Sequence, residues 1–200
     1  MKQLKTLRIL LILSACLLAG MVTAFLLKPT PADSRISTQK IGGDFTLTSA
    51  QGPVSLSDFR GQVAVIYIGY ASCPDVCPTE LAILSRAMDQ LSAKQRSEVQ
   101  GLFISVDPER DTPERLEKYV NFFSDRLIGV TGTPDQIDQV VRQYGAFYRK
   151  VELDDSAMGY AVDHSSRLYL IDRQGEFVGL LNHGVQPAEV KERLESLLND

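Results

Sequence analysis

The sequence predicts an α/β domain built on a mostly parallel sheet, and three observations carry that expectation. Two nearly continuous apolar runs, Val63–Ile68 and Leu102–Val106, read as strands covered on both faces. Each is followed by a segment whose apolar residues recur at helical spacing. Two later runs, Arg167–Ile171 and Glu176–Leu181, flank the turn sequence Asp172-Arg-Gln-Gly175 and read as a closing antiparallel hairpin.

In chain order, Lys2, Lys5 and Arg8 precede Ile9 to Leu27, a run of 19 residues without a charge. Such a run spans a bilayer core of roughly 30 Å at about 1.5 Å per residue. Residues 1–28 are therefore expected to be a signal anchor, one N-terminal transmembrane helix. Its basic flank puts the rest of the chain on the periplasmic (extracytoplasmic) side of an inner (cytoplasmic) membrane. Two rival readings stay open: cleavage near Val22-Thr-Ala24, and lipidation of Cys16 within Leu13-Ser-Ala-Cys16. Every reading exports the remainder. Of 21 basic residues, four lie in residues 1–28, which leaves 17 against 25 acidic ones and a net charge of −8 beyond the anchor. That balance argues against a nucleic-acid partner.

Residues 29–40, polar and proline-containing, read as a linker, and 41–200 as the folded domain. Phe45–Thr48 and Val54–Leu56 alternate around Ser-Ala-Gln-Gly-Pro and predict a hairpin. After the strand at 63–68, Pro78 opens a helix with Leu81, Leu84, Met88 and Leu91 on one face. The second strand ends in Asp107-Pro-Glu-Arg-Asp111, and Thr112-Pro-Glu starts the next helix, with Leu116, Tyr119, Val120 and Phe123 inward. Leu127–Val130 is a short strand, Thr133-Pro-Asp opens a helix to about Tyr144, and residues 154–159 read as an exposed loop. After the closing hairpin, a last helix runs from Pro187 to about Leu198. The order hairpin, β, α, β, α, β, α, ββ, α is the thioredoxin-like plan with an N-terminal β-hairpin.

Two of the three cysteines, Cys73 and Cys77, sit four residues apart at the first strand-to-helix junction, where chemistry collects in α/β folds. The spacing is not that of a C-x-x-C dithiol motif. A pair so placed is a metal-ligand set or a redox couple; a plain structural disulfide is the bland alternative. Cys77, just before Pro78, is expected at the helix N-cap, where the helix dipole lowers a thiol pKa. Of the two histidines, His164 in Val162-Asp-His-Ser165 precedes a strand in the region that neighbours the active-site helix in this plan, so a loop histidine there is within reach of the sulfurs; a solvated loop histidine is the bland alternative. Two thiolates and one imidazole suit Cu(I), although zinc also accepts them. His183 reads as a turn residue, and Met158 as a loop methionine with a weak claim to be a soft ligand. Asp107 ends its strand on the same sheet edge, either orienting His164 or contacting the metal, or simply capping its own turn.

Four stretches resemble the Sco/SenC family of copper chaperones for cytochrome oxidase assembly. They are Tyr70 to Pro78 around the cysteines, Phe103-Ile-Ser-Val-Asp-Pro-Glu-Arg-Asp-Thr112, Gly129-Val-Thr-Gly-Thr133, and Tyr160-Ala-Val-Asp-His-Ser165 followed by Tyr169-Leu-Ile-Asp. The resemblance covers about residues 40–200 and implies Cys73, Cys77 and His164 as copper ligands, with Asp107 a supporting acid. It implies delivery of copper, as Cu(I) or Cu(II), from a donor protein to the binuclear copper site of oxidase subunit II. Thiol–disulfide exchange that keeps the oxidase cysteines reduced is the rival activity, and a peroxidase or redox sensor a weaker third.

Overall fold

The computed structural model describes residues 12–14, 16–18, 20, 21, 23, 41–153, 156 and 158–199. Most of the expected membrane segment and all of the linker at 29–40 lie outside these residues. The described residues between 12 and 23 are helical. Among the described residues, no helix is long and apolar enough to cross a membrane. Contacts divide the chain into one unit of residues 1–39 and another of 40–200.

The second unit opens with the expected hairpin, β1 (Thr46–Ser49) against β2 (Gly52–Ser55), and a 3-10 turn at Leu56–Phe59 that the sequence did not announce. Then come β3 (Val63–Gly69), α1 (Val76–Asp89), a short α2 (Ala93–Ser97), β4 (Val99–Ser105), α3 (Pro113–Asn121), β5 (Leu127–Val130) and α4 (Pro134–Gln143). The start of α3 follows from chemistry read in the sequence. Thr112 accepts the N–H of Arg115 and Pro113 fills the first turn, where no backbone donor is missed. Thr133 and Pro134 repeat the device at α4.

Where the sequence suggested only a loop, the structure has a second hairpin, β6 (Tyr148–Glu152) against β7 (Tyr160–His164). These strands escaped notice because they are mostly exposed or half-buried and carry charged residues, so no apolar alternation marks them. The chain closes with β8 (Arg167–Ile171), β9 (Phe177–Asn182) and α5 (Pro187–Asn199).

The main sheet has the order β5-β4-β3-β8-β9, with β3, β4 and β5 parallel and β8 and β9 antiparallel. Every residue of β3 and β4 is buried, so both faces are covered, as their nearly continuous apolar character required. Because β8 runs antiparallel to β3, with Tyr67 opposite Leu168, its beginning lies beside the end of β3. That single pairing brings the segment just before β8 to the edge where the cysteines sit.

Candidate metal centre

The site lies beyond the carboxyl ends of β3 and β4. Gly69, the last residue of β3, leaves room that a side chain would not: a Cβ there would lie 2.6 Å from Cys77 Sγ and 3.1 Å from the Phe103 ring. The cysteine loop then turns through Tyr70 to Asp75 into α1. Asp111 anchors this loop, accepting the Ala71 N–H at 2.8 Å and the Ser105 hydroxyl at 2.6 Å.

α1 begins at Val76, two residues earlier than Pro78 had suggested. The shift exchanges the expected roles of the cysteines. Cys77 is not the N-cap but sits inside the first turn, buried, whereas Cys73 is half-buried ahead of the helix and accepts the N–H of Cys77 at 3.5 Å. Cys73 is therefore the stabilised thiolate: the Cys77 thiol hydrogen bond, with further help from His164 and backbone N–H groups, overcomes burial and lowers it to about 3. Cys77 moves the other way, raised by that same bond to Cys73 and by burial. The pair holds one proton, on Cys77. Both thiols are free.

His164 is the final residue of β7, not a loop residue. Its Nε2 lies 3.3 Å from Cys77 Sγ, and its Nδ1 lies 3.3 Å from the Ser165 carbonyl. A carbonyl only accepts, so Nδ1 is the donor in that contact, and Nε2 is the nitrogen that faces the sulfurs. Tyr67 and Tyr70 meet the imidazole edge-on at centroid distances of 6.2 and 5.8 Å, and the Tyr67 hydroxyl donates to Cys77 Sγ at 3.7 Å. The three donor atoms lie within 4.8 Å of one another. A cleft of about 320 Å³, lined by Tyr70, Cys73, Pro74, Val76, Val162 and His164, gives access to Cys73 and His164, while Cys77 lies buried behind them.

Asp107, fully buried, contacts neither His164 nor the sulfurs. Its carboxylate takes the Tyr160 hydroxyl at 2.7 Å and the Arg110 guanidinium, while its carbonyl accepts the N–H groups of Arg110 and Asp111. It thus caps its turn and holds β7 at the end remote from His164. Met158 is exposed, and its carbonyl, not its sulfur, is engaged, by Arg110. His183 lies outside the centre. Its Nδ1 is 2.5 Å from Glu80 Oε1, which also accepts the Gly184 N–H at 2.9 Å. Glu80 is wholly buried on α1, a role nothing local in Pro78-Thr-Glu80 signalled.

Residues 33–199 match the SCO1/SenC family. The chain belongs to that family. A SCO2-like protein of Rickettsia conorii is 40% identical over 162 residues, 80% of this chain and 77% of the relative. Copper-bound ScoI of Bradyrhizobium japonicum is 38% identical, covering 79% of this chain and 99% of its own, with a TM-score of 0.71. Copper-bound ScoI of Arabidopsis thaliana is 36% identical over 80% of this chain and 98% of its own, with a TM-score of 0.72. The thioredoxin-like Sco fold read from the element order is thus the fold of this chain, and Sco relatives bind copper.

Proposed function

We propose that this Sco protein is a membrane-tethered copper carrier. Cys73, Cys77 and His164 hold the ion and release it to the binuclear copper site of cytochrome c oxidase subunit II. Copper is here cargo, received from a donor protein and passed on. One observation carries the reading: two cysteine sulfurs and one imidazole nitrogen from two distant segments converge within 4.8 Å beside an open cleft that Cys73 and His164 line. Two sulfurs and one nitrogen form a soft, low-coordinate set suited to Cu(I). Residues 1–28 are proposed as the anchor and 29–40 as the linker, with the domain on the outer side of the membrane.

The Cys73 thiolate beside a buried Cys77 also favours a second activity, since an accessible thiolate with a resolving partner is what thiol–disulfide exchange requires. The two readings divide at His164, which metal transfer needs and exchange does not. Copper titration of the reduced full chain, wild type against His164→Ala, is the test. One tight equivalent that depends on His164 supports the carrier. Weak or His164-independent binding refutes it in favour of exchange.

A further inference from the structure

The metal centre joins two arms that meet the main sheet at its neighbouring strands β3 and β8. The cysteine arm continues directly from β3. The histidine arm is the β6–β7 hairpin, a two-stranded sheet of its own. At the His164 end this hairpin is tied to itself and to α4: Ser165 and Phe147 exchange hydrogen bonds, and the Tyr148 hydroxyl donates to Asp138 at 2.7 Å. Tyr70 of the cysteine loop meets the Val162 backbone and the imidazole edge at this end, but the bonds to α4 and within the hairpin do not reach the loop.

At the other end of β7 a polar chain does. The Tyr160 hydroxyl donates to Asp107 Oδ1, the Asp107 N–H donates to Ser105 Oγ at 3.1 Å, and the Ser105 hydroxyl donates to Asp111. Asp111 in turn holds Ala71, two residues before Cys73. Arg110 closes the cluster. Its guanidinium lies 3.7 Å from the Tyr160 ring centroid, and its Nη1 donates to the carbonyls of Tyr160 at 3.0 Å and Met158 at 3.3 Å. Asp107 and Asp111 are both fully buried, so neither bond to a ligand-bearing arm competes with water. The loop between β4 and α3 therefore carries two acids with separate tasks, Asp111 for the cysteine arm and Asp107 for the histidine arm.

We propose that Arg110 and Tyr160 are positioning residues for His164: with Asp107 they clamp β7 to the cysteine loop, so that the imidazole stands ready at the two sulfurs before copper arrives. This rests on the proposed copper-carrier reading. A planar fork is needed, because Arg110 serves a carboxylate, two carbonyls and an aromatic face at once, which an ammonium does not. The clamp acts at a distance of four residues along a strand, through orientation and not through contact with the ion.

The test uses the full chain with Tyr160→Phe, Arg110→Lys, His164→Ala and the double variant Tyr160→Phe/His164→Ala. Release of Cu(I) to a chelator is followed by stopped flow, imidazole coordination by X-ray absorption, and the metal-free fold by thermal melting. Tyr160→Phe removes one oxygen and keeps the ring beneath Arg110, so it carries the test if Arg110→Lys fails to fold. Expected are one copper still bound, a weakened imidazole signature and release about tenfold faster than wild type, with no further acceleration when Tyr160→Phe is added to His164→Ala. Wild-type release and imidazole signature in Tyr160→Phe would overturn the clamp while leaving the carrier reading intact. Additive effects in the double variant would overturn it as well, because the loss would then be general destabilisation. Copper binding indifferent to His164→Ala would remove the carrier reading and the clamp with it.

Discussion

Copper binding by this protein should release one proton per ion, and pH is the perturbation that exposes it. Metal binding requires thiolates, so any thiol proton present beforehand must leave. Cys73, lowered to about 3, has no proton to give near neutrality. Cys77, raised by its bond to Cys73 and by burial, keeps its proton and gives it up when copper binds. The sign follows: raising the pH removes the competitor of copper for Cys77, so affinity increases with pH. With one proton released, each pH unit is worth about tenfold in Kd, or about 1.4 kcal/mol, and the step from pH 7 to pH 9 about 100-fold. Competition against a Cu(I) chelator of known affinity at three pH values gives the slope. Calorimetry in two buffers of different ionisation enthalpy counts the proton independently. A slope of two would mean that Cys73 is also protonated beforehand, and a flat profile that Cys77 is already ionised; either would refute the division of roles between the sulfurs.

Gly69→Ala should push Cys77 Sγ and the Phe103 ring aside, costing about 1–3 kcal/mol of stability by overpacking and weakening copper binding, as read by denaturant midpoints and titration. An unchanged copper affinity would show that the backbone absorbs the methyl group without moving the sulfur. Glu80→Ala leaves Gly184 N–H and the His183 ring without their acceptor and should lower the unfolding free energy by about 1–3 kcal/mol, a shift in midpoint at constant slope. A change below about 0.5 kcal/mol would place that pair among the contacts that contribute little.

Much of this site was legible one segment at a time. The paired cysteines at a strand-to-helix junction, the largely apolar strands β3 and β4, and the Thr-Pro starts of α3 and α4 are local patterns with local causes. The β6–β7 hairpin was not legible, since Val162 is the one fully buried residue of either strand and periodicity records burial. The exchange of roles between Cys73 and Cys77 came from a two-residue shift in the start of α1. Local residues did not settle that start, because proline is tolerated throughout the first turn. Asp107 read as a support for His164 or the metal, or as a cap, and Glu80 carried no local signal; only the neighbours that surround Asp107, Asp111 and Glu80 reveal buried anchors.

By itself, then, the sequence determined the residue types of the centre and the element order that carries them, because thiols, imidazole and strand-to-helix junctions are written in adjacent residues. The tertiary structure alone decided which sulfur His164 meets, 87 positions away, which of the two sulfurs is the thiolate, and which acid holds which arm. Those facts depend on the antiparallel entry of β8 beside β3 and on burial, and both are properties of distant segments brought together.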